Sequence, residues 1–129
     1  MARWSCAAWQ PALSVREEEQ SKSMRTYQLR RYVVNLGELD TFVDEWVREV
    51  VPLRERFGFR VEGAWIVRDE HRFIWLLSYE GEDGFEAASE RYFRSPARAA
   101  LQPDPSRLLD EIETTLMEPV VERVEPGEA

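Results

Sequence analysis

The sequence of 129 residues is poor in the residue types that build covalent or metal frameworks. Cys6 is its one cysteine and His71 its one histidine, which excludes a disulfide framework and a thiolate metal cluster within the chain. His71 stands in the charged run RDEHR with no second histidine or cysteine beside it, a setting that favours a solvated turn residue over a metal or heme ligand. We therefore expect neither a metal nor a cofactor.

Long hydrophobic runs are also missing. No apolar stretch approaches the ~20 residues that a bilayer-spanning helix needs, so we expect no membrane segment. The start of the chain lacks the apolar core of a signal peptide and carries three consecutive glutamates from Glu17, which transit peptides avoid. We interpret residues 1–23 as a disordered N-terminal extension, 24–120 as the folded domain and 121–129 as a frayed tail of a cytoplasmic protein.

Excess positive charge is absent as well, since the formal net charge is -8. Binding to the phosphate backbone depends on Lys and Arg neutralising phosphates, so nucleic acid is not an expected partner. The glycine-rich and serine motifs GxGxxG, GxxxxGK[ST] and GxSxG do not occur either. Dinucleotide binding, phosphate cradling and serine hydrolysis therefore lack their usual signatures.

The chain does contain enough apolar residues for one packed core, with 43% hydrophobic and 12% aromatic residues. Alternation of apolar and polar residues predicts strands, and apolar residues spaced by three and four predict helices. The predicted order is a strand from 27, a helix from 38 to 58, strands at 59–68 and 71–79, a helix at 85–93, a short helix to 101 and a strand at 111–117.

Local signals set the ends of these elements. Asn35 followed by Glu38 has the form of a capping box, and Ser95 before Pro96 has the form of a helix cap. Pro52 cannot donate a backbone hydrogen bond inside a helix, so we expect a kink or a fresh start there. Gly63 indicates a bulge in the second strand.

The element order βαββαβ predicts an α+β, ferredoxin-like fold with a four-stranded antiparallel sheet whose central strands are the first and the third. Both helices of that fold pack on one face of the sheet. The third strand, however, is apolar on both faces, because Phe73, Trp75 and Leu77 alternate with Ile74 and Leu76. The second apolar face needs a cover, so we expect a homodimer that pairs two sheets.

Six stretches in this order resemble the NIPSNAP family across residues 24 to 120. They are YQLRRY at 27–32, GELDTF at 37–42, PLRERFGF at 52–59, GAW at 63–65, FIWLLSYEG at 73–81 and YFRSPARAAL at 92–101. The resemblance implies a dimeric α+β barrel, in which two sheets face each other. It implies no catalytic residues that can be carried over, and a fold alone does not select a function.

Five side chains are the candidates for lining a ligand pocket in such a barrel. Aromatic walls with a few polar groups are the usual lining of small-molecule sites, which points to Arg30, Tyr32, Trp65, Trp75 and Tyr79. Because of their polar tips we expect four of them, all but Trp65, on the sheet face inside the barrel. Aliphatic or small neighbours should then face the helices, namely Leu29, Ile74, Leu76 and Ser78. The alternative is that the aromatic residues only fill the space between two sheets.

Three functions remain open at this point. The first is a protein that binds a small apolar or aromatic molecule, oriented by Arg30 and tyrosine hydroxyls. The second is a cofactor-independent monooxygenase or isomerase, in which Arg30 stabilises an enolate. The third is a structural or protein-interaction module whose barrel is filled with side chains. A void of ~300 Å³ or more would favour the first two.

Overall fold

The computed structural model describes residues 25–122, of which Arg25–Val120 form one compact unit. The predicted extension at 1–23 and most of the predicted tail lie outside the described residues. The elements are β1 Thr26–Val34, α1 Leu39–Glu45, a π-helical turn Trp46–Val50, α2 Val51–Arg56, β2 Arg60–Val67, β3 Arg72–Tyr79, α3 Phe85–Arg94, α4 Pro96–Ala99 and β4 Leu109–Met117. Short 3-10 turns precede β3 and β4. No helix in the described range is long and apolar enough to cross a bilayer.

The four strands form one antiparallel sheet in the order β2-β3-β1-β4. The predicted βαββαβ arrangement and its central strands, β1 and β3, are confirmed. A register shift between Val61 and Gly63 is the predicted bulge in β2. The strand with the most apolar residues, β3, thus lies beside β1 in the middle of the sheet, where both edges of each strand are paired.

The first helical segment runs without a break from α1 through the π-helical turn into α2. Pro52 lies in the first turn of α2, directly after the wider turn Trp46–Val50. A proline removes one backbone donor and crowds the preceding turn, and a π turn relieves both problems by displacing the hydrogen-bond ladder by one residue. The expected irregularity at Pro52 is therefore present as a π turn within a continuous helix.

The caps follow the sequence signals only in part. Ser95 accepts a hydrogen bond from the backbone N–H of Arg98 at 3.0 Å, as predicted for a cap. The capping box at Asn35 is wrong: Glu38 is the N-cap without a side-chain hydrogen bond, and the Asn35 side chain donates to the carbonyl of Arg107 at 3.4 Å. Asn35 instead ties the end of β1 to the turn before β4.

The predicted distribution of side chains between the two sheet faces is reversed. Arg30 and Trp75 are directly paired across β1 and β3, so they share a face as expected. That face is the one covered by the helices, because the Trp75 ring lies 5.2 Å from the ring of Trp46 in the π turn. Tyr32 and Tyr79 belong to the same helix-covered core. Large aromatic rings fill the space between sheet and helices, and the aliphatic set lies on the opposite face.

The face of the sheet away from the helices has an apolar centre. Leu29 pairs with Leu76 there, and Trp65 pairs with Ile74. Trp65 is 54% exposed, and its ring lies over Gly63, where an added Cβ would come within 2.7 Å of it. We call this surface the open face. It is the face on which the resemblance places a second sheet.

Gly58 ends α2 in a conformation that only glycine adopts easily, with φ of 94°. We expect Gly58→Ala to lower the free energy of unfolding by about 1 to 2 kcal/mol, because the new Cβ adds backbone strain and meets the Tyr79 ring at 3.1 Å. Gly37→Ala is the control, since its φ is 81° and nothing lies within 4 Å. Urea denaturation should show the smaller loss for Gly37→Ala, and equal losses would mean that the Tyr79 contact is unimportant.

Candidate functional site

A cleft of about 360 Å³ opens between the sheet and the helices. Its walls come from β1, β3 and β4 on one side and from the first helical segment, α3 and α4 on the other. The lining residues are Arg30, Tyr32, Phe42, Trp46, Val50, Arg54, Trp75, Tyr92, Phe93, Arg98, Pro105, Ser106, Leu109 and Ile112. The size and the six aromatic residues of the lining are typical of small-molecule sites.

The cleft exists because the helices leave β4 uncovered. Ile112 and Leu116 belong to the helix side of β4, opposite Tyr32 and Gln28 of β1, yet they remain 53% and 45% exposed. The π turn contributes Trp46 at its first position and Val50 at its last. Such turns often occur at functional sites, because they change the direction in which a helix presents its side chains. Here the turn places both residues on the cleft wall.

Arg54 is the most unusual group of the lining. Its side chain is 1% exposed, and within the described part of the chain its Nε and Nη1 atoms have no hydrogen-bond partner. Its guanidinium lies 4.0 Å from the ring centre of Tyr92, 4.8 Å from that of Phe59 and 5.6 Å from that of Trp75. Cation–π contacts stabilise a buried charge but do not satisfy its N–H groups.

Electrostatics at Arg54 are unfavourable in the structure as it stands. Burial first, and then the positive charge of Arg30, lower the pKa of Arg54 to about 10. The charge of Arg98 acts in the same direction, whereas Tyr92 and Tyr32 oppose it. Arg54 is thus a buried cation placed near two further cations.

Arg30 and Arg98 complete this cationic group. Arg30 donates from Nε to the hydroxyl of Tyr32 at 2.7 Å and from Nη1 to the side-chain oxygen of Gln28 at 2.8 Å, so its partners are neutral. Arg98 pairs with Asp104 at 3.1 Å. The three arginines face a cleft whose lining contains no Asp or Glu, in a chain with 25 acidic and 17 basic residues.

Further donors without partners lie in the same lining. Among residues 25–122, the buried indole N–H groups of Trp46 and Trp75 have no acceptor. Buried polar groups are nearly always satisfied in folded proteins, so this many unpaired donors around one cleft is a reason to look for an acceptor that occupies it. Donors of this kind are satisfied by an oxygen-bearing group, and the guanidinium charges favour an anionic one.

Proton transfer has little support in this lining. It contains no carboxylate, imidazole or thiol, and general acid–base catalysis requires a group that titrates near the working pH. Burial also raises the pKa of the Tyr92 phenol, which makes it a poorer base at neutral pH. The described residues support binding more directly than catalysis.

Three of the five candidate residues from the sequence meet in the cleft, namely Arg30, Tyr32 and Trp75. Trp65 is separated from them by the sheet, because it lies on the open face. Tyr79 shares their face but packs against Phe59 at 5.2 Å and donates its hydroxyl to Asp83 at 2.7 Å, outside the cleft lining. The void itself lies between sheet and helices, whereas the predicted pocket was placed between two sheets.

Arg54 and Trp46 were missed by the sequence reasoning, although a signal for Arg54 exists. Val50, Leu53, Arg54 and Phe57 follow the spacing i, i+3, i+4, i+7 of the buried stripe of a helix. An arginine at a buried position of that stripe is a polar residue where the pattern calls for an apolar one. A charged residue at an apolar position of the pattern indicates a candidate functional residue.

The sheet order and the helices on one face define an α+β protein of the ferredoxin-like class. Solved structures of the same fold include an uncharacterised NIPSNAP domain protein from Burkholderia xenovorans, with 18% identity, a TM-score of 0.66, and coverage of 78% of this chain and 99% of that one. A NIPSNAP family protein of unknown function from Agrobacterium tumefaciens has 15% identity and a TM-score of 0.66, covering 79% and 92%. A dimeric ferredoxin-like protein from an uncultured marine organism has 13% identity and a TM-score of 0.58, covering 84% and 98%.

The sequence pattern of the NIPSNAP family matches residues 27–121, and the chain belongs to that family. The resemblance stated from the six sequence stretches is thereby confirmed. No curated protein sequence matches the chain. The similar structures are below 25% identity, so they establish the fold and leave the function to the residues of the site.

Proposed function

We propose that this protein binds a small molecule with a flat apolar or aromatic body in the cleft between sheet and helices. The observation that carries the proposal is the cleft of about 360 Å³, with the rings of Tyr32, Trp46, Trp75, Tyr92 and Phe93 in its lining. A filled structural module would not need such a void, and a proton-transfer catalyst would need a base that the lining does not have. The candidate residues Arg30, Tyr32 and Trp75 belong to this site.

A pair of matched variants tests the location of the site. Ile112 and Ile66 both lie on edge strands and belong to the helix side of the sheet, opposite Tyr32 and Phe73 respectively, but only Ile112 lines the cleft. Both are partly exposed, which leaves room for a larger side chain. We expect Ile112→Trp to weaken binding of the neutral fluorescent probe N-phenyl-1-naphthylamine at least about tenfold, and Ile66→Trp to leave it unchanged.

The readout is a titration of the probe, excited directly, against each purified variant. Absence of saturable binding to the wild type, or equal binding by Ile112→Trp and the wild type, would contradict a ligand site in the cleft. Native mass spectrometry of protein purified from its own host adds an independent observation, because a retained molecule would appear as a defined mass difference that Ile112→Trp abolishes.

We also propose that the protein is a homodimer assembled through the open face. The support is the apolar centre of that face, formed by Leu29, Ile74, Leu76 and the exposed Trp65, and the description of one structure of similar fold as dimeric. A stable pairing buries at least ~1,200 Å² in total. We expect the wild type to sediment as a dimer at micromolar concentration.

Trp65→Glu should convert that dimer to a monomer, because a carboxylate would be buried without a partner in the centre of the interface. Val47→Glu is the control: Val47 is 56% exposed, a value close to that of Trp65, but it lies on the first helical segment. A wild type that sediments as a monomer, or a Trp65→Glu variant that stays dimeric, would contradict the proposed interface.

The proposed location remains the cytoplasm, on the argument that one cysteine in 129 residues suits a reducing compartment. Nucleic acid is not proposed as a partner, because the net charge of -8 opposes binding to phosphates.

A further inference from the structure

We propose that the cleft selects an organic monoanion, a carboxylate or sulfonate on a flat apolar body, and that Arg54 is its buried anchor. This inference rests on the proposed binding function and names the class of ligand. The observation behind it is that Arg54, whose buried Nε and Nη1 have no partner among residues 25–122, lines the same void as Arg30 and Arg98, with no acidic residue in the lining.

The structure offers Arg54 only partial compensation for its burial. A buried charge is stable when it is both paired and hydrogen-bonded, and Arg54 has aromatic faces but no acceptor at Nε or Nη1 within residues 25–122. The planar fork of a guanidinium matches the two oxygens of a carboxylate or two of the three oxygens of a sulfonate. An anion in the cleft would supply the missing counter-charge and an acceptor for one of the two unpartnered groups, Nε or Nη1.

The Trp75 ring beside Arg54 indicates what the uncharged part of the ligand should be. Trp75 lies within cation–π distance of both arginines, 5.8 Å from the guanidinium of Arg30 and 5.6 Å from that of Arg54. Its ring therefore contacts both charges. An aromatic or otherwise flat ligand body can stack along this wall while its anionic group reaches Arg54, and the unpaired indole N–H of Trp75 can donate to the same group.

Arg30 and Arg98 differ from Arg54 in a way that fits a supporting role. Arg30 already donates to Tyr32 and Gln28, and Arg98 already pairs with Asp104. Their remaining N–H groups and their charge raise the positive potential of the cleft, but their geometry is already maintained by protein partners. Among the three, only Arg54 has buried side-chain donors without a partner within residues 25–122.

The test uses two probes that share one body. The anion 8-anilino-1-naphthalenesulfonate and the neutral N-phenyl-1-naphthylamine differ only by the sulfonate. We expect the wild type to bind the sulfonate at least about tenfold more tightly than the neutral probe, and Arg54→Met to bind the two probes within about threefold of each other. Arg68→Met is the control for net charge, because Arg68 is exposed and pairs with Asp40 outside the cleft. It should keep the full preference.

A second measurement does not depend on the variant folding. In the wild type, the Nε–H resonance of Arg54 should shift and exchange more slowly with water when the sulfonate probe is added, and it should not respond to the neutral probe. Equal affinity of the wild type for the two probes, a preference retained in Arg54→Met, or an unresponsive Arg54 resonance would each overturn the anchor. Failure of both probes to bind in the cleft would instead overturn the proposed function.

Discussion

Replacing Trp75 by alanine is expected to lower the free energy of unfolding by about 3 to 5 kcal/mol. Trp75 is 1% exposed, lies in the central strand β3 and packs edge-on against Trp46 with ring centres 5.2 Å apart. Its removal would enlarge the cleft and take away the ring that lies within cation–π distance of Arg30 and Arg54. Both the lost burial and the lost cation–π contacts lower the stability.

Urea denaturation followed by circular dichroism measures this loss. Val47→Ala is the comparison for an exposed apolar residue, since Val47 is 56% exposed and should cost less than about 0.5 kcal/mol. A loss for Trp75→Ala as small as that of Val47→Ala would mean that the ring contributes nothing to the core.

Arg54→Met, in contrast to Trp75→Ala, is expected to stabilise the protein and to raise the free energy of unfolding by about 1 to 3 kcal/mol. A buried charge without a full set of partners destabilises a fold, and an apolar replacement of similar length often stabilises it. Loss of the ring contacts to Tyr92 and Phe59 offsets part of the gain. In a domain of this size the melting temperature should rise by roughly 5 °C or more.

The pH dependence of that gain follows from the sign of the pKa shift. The folded-state pKa of Arg54, about 10, lies below its ordinary value, so the unfolded chain holds this proton more tightly. Protonated Arg54 therefore opposes folding fully below about pH 10, and this cost disappears as the pH rises from there towards the pKa of the unfolded chain. The advantage of Arg54→Met should be constant around neutral pH and should shrink above about pH 10.

Arg98→Met provides the contrast for this prediction. Arg98 pairs with Asp104 at 3.1 Å, so its removal leaves a carboxylate without its cation, and a small loss of stability is expected. Thermal melts of Arg54→Met, Arg98→Met and the wild type measure whether each substitution raises or lowers the melting temperature. A large drop for Arg54→Met would make Arg54 a structural residue that the fold requires and would remove the main reason to assign it to a ligand.

The order of elements was predictable from the sequence because each element has one dominant periodicity. The sequence pattern predicted that β3 is a central strand, because it is apolar on both faces. Phe73, Trp75 and Leu77 lie on one face, and Ile74 and Leu76 lie on the other. Alternation states which residues share a face, but it does not state which face meets the helices. Residue size was an unreliable guide to that choice, because the helices stand far enough from the sheet to accept rings as large as Trp75.

The site was predictable only in the part that depends on a single strand pair. Arg30 and Trp75 came together because β1 and β3 are neighbours in register. Arg54 belongs to the helical layer, in α2 directly after the π turn. No local sequence pattern determines how close this side chain lies to Arg30 and Trp75. The absence of carboxylates from the lining is likewise a property of the packed molecule, since acidic residues occur throughout the sequence.

Segregation of charge also has a consequence for the rates of binding. At long range an approaching anion meets the field of a molecule with a net charge of -8, while at short range it meets three guanidiniums in the cleft. The long-range repulsion grows with the number of charges on the approaching anion. Salt screens it over a Debye length of about 10 Å at 0.1 M. The net charge of the protein should thus favour anions of low charge over polyanions before any contact with the cleft forms. We expect polyanions to be repelled at a distance and small monoanions to enter the cleft, and we expect added salt to accelerate their entry while it weakens their binding.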